Sequence, residues 1–169
     1  MVAVAEQRES TILATQRGQE VVVRRKNDIG ILFHISALLS DNDVNVLGIS
    51  AGVCGEDCLI RLITADNRRA AELLTANSFA CEEESVILVN LPHRPGMLKQ
   101  VTKALTQEGI DIRHVYAAAE KEQGSCLLVF HTSNDDAALA KLNDVQADEE
   151  RQTDRERNAN MVSEGGPAY

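Results

Sequence analysis

The chain has 169 residues, 44% of them hydrophobic, with no Trp and 3% aromatics. It can therefore fold around Val, Ile, Leu and Ala, but it offers no aromatic platform for stacked bases. Asp and Glu outnumber Lys and Arg by 26 to 17, a formal charge of −9, which repels nucleic acid and anionic membrane unless basic residues cluster.

The basic groups, Arg24, Arg25 and Lys26, and Arg68 with Arg69, are too small for a phosphate-binding stripe. No run approaches the roughly 18 apolar residues of a membrane helix. Glu6 and Glu9 interrupt the start, where a secretory signal would be apolar, and the chain reads as cytoplasmic. Cys54, Cys58, Cys81 and Cys126 are read as reduced thiols. His34, His93, His114 and His131 do not supply the remaining ligands at zinc-site spacing, so no metal and no cofactor is expected.

Residues 1–18 are polar and aperiodic, an arm ahead of the fold or a short extra element. QEVVVRRK at 19–26 reads as a first strand. A helix follows, with Leu32, Ile35, Leu38 and Leu39 on one face, and Gly30 sits at the strand-to-helix junction. Residues 44–50 and 58–64 read as a hairpin around Gly52, Gly55, Glu56 and Asp57. Asp66 and Asn67 can cap a helix over 68–76, and 79–83 supplies a short fourth strand.

The same order then restarts. Residues 85–91 form a strand, PHRPG a turn, and 97–108 a helix with Leu98, Val101 and Leu105 inward. Strands at 110–116 and 126–132 flank a turn at 120–124, and Asn134 and Asp135 cap a last helix ending near Leu142. A shift of 66 lays Gly30 on Gly96, Leu32 on Leu98 and Val44, Asn45 and Val46 on Ile110, Asp111 and Ile112. After the hairpin the shift is 68, setting CLIRLIT at 58–64 against CLLVFHT at 126–132. Such self-similarity is a structural repeat.

The predicted fold is α+β: two ferredoxin-like βαββαβ modules, each with an antiparallel sheet packed against helices. The expected organisation is an arm (1–18), a first module (19–84), a second module (85–146) and an acidic, polar, flexible tail (147–169). The second copy lacks a full last strand, since only 144–147 can contribute. The open sheet position would be covered by another strand or another subunit.

With its strand, its ND-I-G-IL turn at 27–32 or HRPGML turn at 93–98, and its following DVNVLGIS or GIDIRHVYA strand, the repeat resembles the ACT domain. The chain from about 19 to 142 is similar to stand-alone tandem ACT proteins, the second copy being the closer match. The resemblance implies non-catalytic regulation by a small molecule, usually an amino acid, and pairing of modules side by side as a homodimer or larger homo-oligomer. It implies ligand at the first strand-to-helix turn where that turn meets a partner module. The candidate binding residues are then Asn27, Asp28, Ile29, Gly30, Ile31 and Leu32, and His93, Arg94, Pro95, Gly96, Met97 and Leu98. Asn45 and Asp111, opening the second strands, match the family position that meets an amino group. Ile29 stands where the second copy has Pro95, and Asn45 and Asp111 differ in charge, so equal sites are not assured.

Physically, amide N–H groups at a glycine turn opening a helix suit a carboxylate. Arg94 could add a charge-assisted hydrogen bond, and Asp111 or Asn45 could accept from an ammonium. The residues alone equally allow Gly30 and Gly96 to serve only as tight turns. Cys58 and Cys126 fall at equivalent strand positions without a Cys–His motif, and there is no GxGxxG or P-loop, so catalysis is not expected. Two functions remain open: an amino-acid-binding regulator that passes its output to a partner protein, and an interaction module that keeps the fold without a ligand. Neither calls for nucleic acid or membrane.

Overall fold

The alternation of β1 (Ala14–Lys26) sends Val21 and Val23 to one face of the sheet and Glu20 and Val22 to the other, because successive strand side chains point oppositely. The structure, a computed structural model, describes residues 12–118 and 124–164. The remaining elements are α1 (Ile31–Asp41), β2 (Val46–Cys54), β3 (Asp57–Thr64), α2 (Asn67–Ala76), β4 (Cys81–Pro92), α3 (Met97–Gln107), β5 (Ile112–Ala118), β6 (Ser125–Thr132) and α4 (Asp135–Glu164). The expected turn at 120–124 lies, Gly124 apart, outside the described residues.

Two separate βαββαβ modules do not form. All six strands join one closed barrel in the order β1-β3-β2-β5-β6-β4, with β4 returning to β1. The residues 79–83 and 85–91, expected as two strands, are one strand from Cys81 onward, since no turn-forming Gly or Pro separates them. β1 pairs antiparallel with β4 from Ala14↔Asn90 to Val23↔Cys81. The C-terminal part of β1 also pairs with β3, and the C-terminal part of β4 with β6. Each long strand therefore serves both repeats. The position left open by the missing last strand of the second copy is filled by the N-terminal part of β1, which reaches back into the segment expected as an arm.

Two helix layers cover the outside. Ile31, Ile35 and Leu39 of α1, with Ala70 and Leu74 of α2, pack on Val21, Val23, Ile60 and Leu62. Met97, Val101 and Leu105 of α3, with Ala138 and Leu142 of α4, pack on Ile87, Val89, Leu91 and Phe130. Each buried large side chain contributes about 1.5–3 kcal/mol. Leu32 and Leu98, expected to face inward, are 41% and 49% exposed, and Ile31 and Met97 take the buried positions. α4 continues to Glu164, well past Leu142. The Asp, Glu, Gln, Arg and Ala of that stretch lack strand character but are compatible with a helix.

Candidate functional site

The two candidate turns fold alike. Gly30 (φ 92°) and Gly96 (φ 95°) precede α1 and α3 in the left-handed conformation, which L-residues with a Cβ adopt only under strain. A Cβ at either position would meet nothing within 4 Å, so the turn is demanded by backbone conformation and its face stands open. Neither helix start has a side-chain cap or an acidic residue in its first turn. In contrast, the Arg69 N–H donates to Asp66 Oδ1 at 2.9 Å ahead of α2, and the Ala137 N–H donates to Asn134 Oδ1 at 3.1 Å ahead of α4. The Ile31 N–H reaches Asp28 O at 3.3 Å, and first-turn N–H groups without a side-chain cap are suited to an external anion.

Asn27, Asp28 and Ile29 lie on the surface, Ile29 at 98% exposure, and Ile31 is buried under α1. His93, Pro95 and Gly96 are exposed, Arg94 is half-buried and Met97 is buried. The two turns are not brought together. They follow the C-terminal ends of antiparallel β1 and β4, roughly 40 Å apart along the strands at about 3.3 Å per residue.

Strand direction does bring each turn to the same end of the barrel as the second-strand start of the other repeat. β2 and β5 run antiparallel through Gly48↔Ala118. Asp111, at the start of β5, therefore lies toward the β2–β3 turn, where the Asn27 N–H donates to Glu56 O at 2.7 Å. Asn45, at the start of β2, lies toward the β5–β6 turn, where the His93 N–H donates to Gly124 O at 2.6 Å. The side chains of Asn45 and Asp111 are exposed, and their carbonyls accept from Ala65 N and Ser133 N. Among the surface depressions, one of about 670 Å³ between α2 and the start of β4 is lined by Arg68, Glu72, Thr75 and Cys81 and includes none of these residues.

Sequence reasoning missed a polar cluster inside the barrel. Glu20 is fully buried; it accepts from Arg61, itself 8% exposed, and from the Tyr116 hydroxyl at 2.7 Å. Arg61 Nη1 also donates to Glu84 Oε2 at 3.0 Å, and Arg24 Nη2 to Glu84 Oε1 at 2.5 Å. His131 Nε2 lies 3.1 Å from Glu84 Oε2, and His114 Nε2 lies 3.0 Å from Ser50 Oγ. Burial works against the Glu84 carboxylate, but the hydrogen bond and charge of Arg61, helped by Arg24 and His131, hold its pKa below the usual range. Burial also works against the Arg61 charge, which Glu84 and Glu20 more than restore. Tyr116 is pushed far up by burial and by Glu20 and stays a phenol. By the repeat, Glu20 corresponds to Val86 and Arg61 to Val129; both valines sit in the apolar part of the same interior. The available signal was a charge in each of two apolar strand runs, Glu20 before three valines and Arg61 within CLIRLIT.

The thiols are free, with Cys58 buried in the core. Among the described residues, no three His, Cys, Asp or Glu side chains gather as a metal site.

The family model described as ACT domain matches residues 85–147. ACT domains are regulatory, non-catalytic modules. A protein from Bacteroides thetaiotaomicron has a similar structure (TM-score 0.70, 22% identity, covering 77% of this chain and 89% of that chain). So does the ligand-free regulatory subunit of aspartate kinase from Thermus thermophilus (0.54, 14%, 80% and 98%). The aspartokinase alpha and beta subunits follow (0.51, 15%, 79% and 97%). Curated protein sequences gave no significant match. One family match and one closed barrel replace the expected tandem arrangement: the fold is a single ACT-like α+β domain.

Proposed function

We propose that this chain is a non-catalytic regulatory protein that binds a free amino acid or similar zwitterion at one or both glycine turns. The observation that carries this reading is the contrast in capping. α2 and α4 start on Asp66 and Asn134, whereas α1 and α3 start on left-handed glycines with no side-chain cap and an open face. A ligand carboxylate at Gly30 would meet the helix N-terminus while Asp111, from the other repeat at the same end, accepts from its ammonium. The Gly96 turn would pair with Asn45 and gain Arg94. The charge difference between Asp111 and Asn45 makes the sites unequal. Output would pass to a partner protein or through a homo-oligomer.

A second reading, an interaction module without ligand, is favoured by the exposed Ile29 and by Phe33, 70% exposed, at the start of α1. Thermal unfolding of the purified, metal-free protein against the twenty free amino acids separates the two. Selective, saturable stabilisation is expected for a sensor by linkage, and a flat response at millimolar ligand favours the interaction module. G96V strains the left-handed position and should abolish binding at the second turn; unchanged affinity in folded G96V removes that turn from the site.

A further inference from the structure

We infer that the border between β2 and β5 is a pH-gated seam, held closed while His114 is neutral. The other strand borders of the barrel are extended ladders, running for instance from Ala14↔Asn90 to Val23↔Cys81 between β1 and β4. Among the described residues, β2 and β5 share one registered pair, Gly48↔Ala118. That pair is close: a Cβ on Gly48 would fall 2.7 Å from Ala118 Cβ, so only glycine allows it. A side-chain hydrogen bond crosses the seam from His114 on β5 to Ser50 on β2, at 3.0 Å. Among the described residues, the border with the fewest registered pairs is thus one that a histidine spans.

The surroundings of His114 disfavour its charged form. Ser50 on β2 and Tyr116 on β5 contact it, and the charges of Glu20 on β1, Arg61 on β3 and His131 on β6 act on it, while Glu84 on β4 and Arg24 on β1 are paired with each other beside His131. Tyr116 stacks obliquely on it at 5.7 Å between ring centroids, and His131 is its cross-strand partner. The two carboxylates are already occupied, Glu20 by Arg61 and Tyr116, and Glu84 by Arg61, Arg24 and His131. A proton on His114 would add a half-buried cation within reach of the Arg61 charge, with no carboxylate hydrogen-bonded to it among the described residues. Burial, then the charge of Arg61, lower its pKa below 6.5; Glu20 opposes and His131 adds to the lowering.

Opening the seam returns His114 to water and to the ordinary histidine value. The open form then binds more protons than the closed one. Closed-state stability is whole above the ordinary value, falls as pH drops below it, and levels off below the lowered closed-state pKa. Acidification in the endosomal range is thus expected to part β2 from β5 while the β1–β4 ladder stays paired.

The test is amide hydrogen exchange on the full chain at about pH 7.5 and about pH 5.5, corrected for the intrinsic exchange rate. Protection at the seam pair, Gly48 and Ala118, should fall several-fold at the lower pH while that of 86–89 holds. H114Q, neutral at both pH values and still able to hydrogen-bond Ser50, should lose this pH response, and H131Q should keep it. Unchanged protection in the wild type, equal loss in β1 and β4, or an unaltered response in H114Q overturns the inference. Should H114Q fail to fold, ring-proton NMR titration of His114 in the wild type decides: a midpoint below the ordinary value supports the seam, and one at or above it overturns it.

Discussion

Replacing Arg61 with methionine removes the cation from the barrel interior at nearly constant volume. Glu20, fully buried, is then left with the Tyr116 hydroxyl, and Glu84 loses its inner partner. Removing one member of a buried pair costs about 3–5 kcal/mol, because the other charge stays desolvated. A domain of this kind has roughly 5–15 kcal/mol in total, so R61M should be visibly unstable. At about 2–4 °C per kcal/mol for this size, its Tm should fall by roughly 10 °C. Urea unfolding followed by far-UV circular dichroism at neutral pH measures the loss. The double variant E20Q/R61M, which removes the stranded charge, should recover much of it. The pH dependence has a defined sign. Glu84 has a lowered folded-state pKa, so its contribution is present above the ordinary carboxylate value and lost as pH falls through the folded value. R61M should flatten that acid limb. A loss under about 1 kcal/mol, as for an exposed pair, or no recovery in the double variant, would refute the buried-network reasoning.

G48V places a branched side chain where a Cβ already falls 2.7 Å from Ala118 Cβ and 3.2 Å from its Cα; overpacking should cost about 1–3 kcal/mol in urea unfolding and strip protection from β2 and β5. D66A deletes the acceptor of the Arg69 N–H and should cost about 1 kcal/mol with faster exchange in the first turn of α2. L74A hollows the core between α2 and the sheet and should cost about 2–5 kcal/mol, read as a lower urea midpoint with an unchanged slope.

The elements of each repeat were legible because their signals are local. Leu39 and Leu105 lie on the buried faces of helices, Asp66 and Asn134 cap where they were expected to, and Gly30 and Gly96 take the left-handed conformation at the predicted junctions. Leu32 and Leu98 were misplaced because the helix rotation is set by Ile31 and Met97 reaching the sheet, which a periodicity of 3.6 does not distinguish by one residue. At the candidate site, the turn residues could be chosen from the motif. Their separation to opposite ends, and the placing of Asp111 rather than Asn45 at the same end as the Gly30 turn, depend on the direction of β5 relative to β2.

Sequence alone determined the α+β class, the apolar helix stripes and the glycine positions at the strand-to-helix junctions, all properties of windows shorter than twenty residues. Only tertiary structure decided that the repeats share β1 and β4, that one barrel closes through Gly48 and Ala118, and that Glu20, Arg61, Glu84, Tyr116 and two histidines meet inside it. The reason is that strand pairing is non-local. Backbone N–H and C=O groups at a sheet edge carry no address, so the partner is chosen by which pairing buries the most apolar surface while satisfying those groups and the charges carried inward with them.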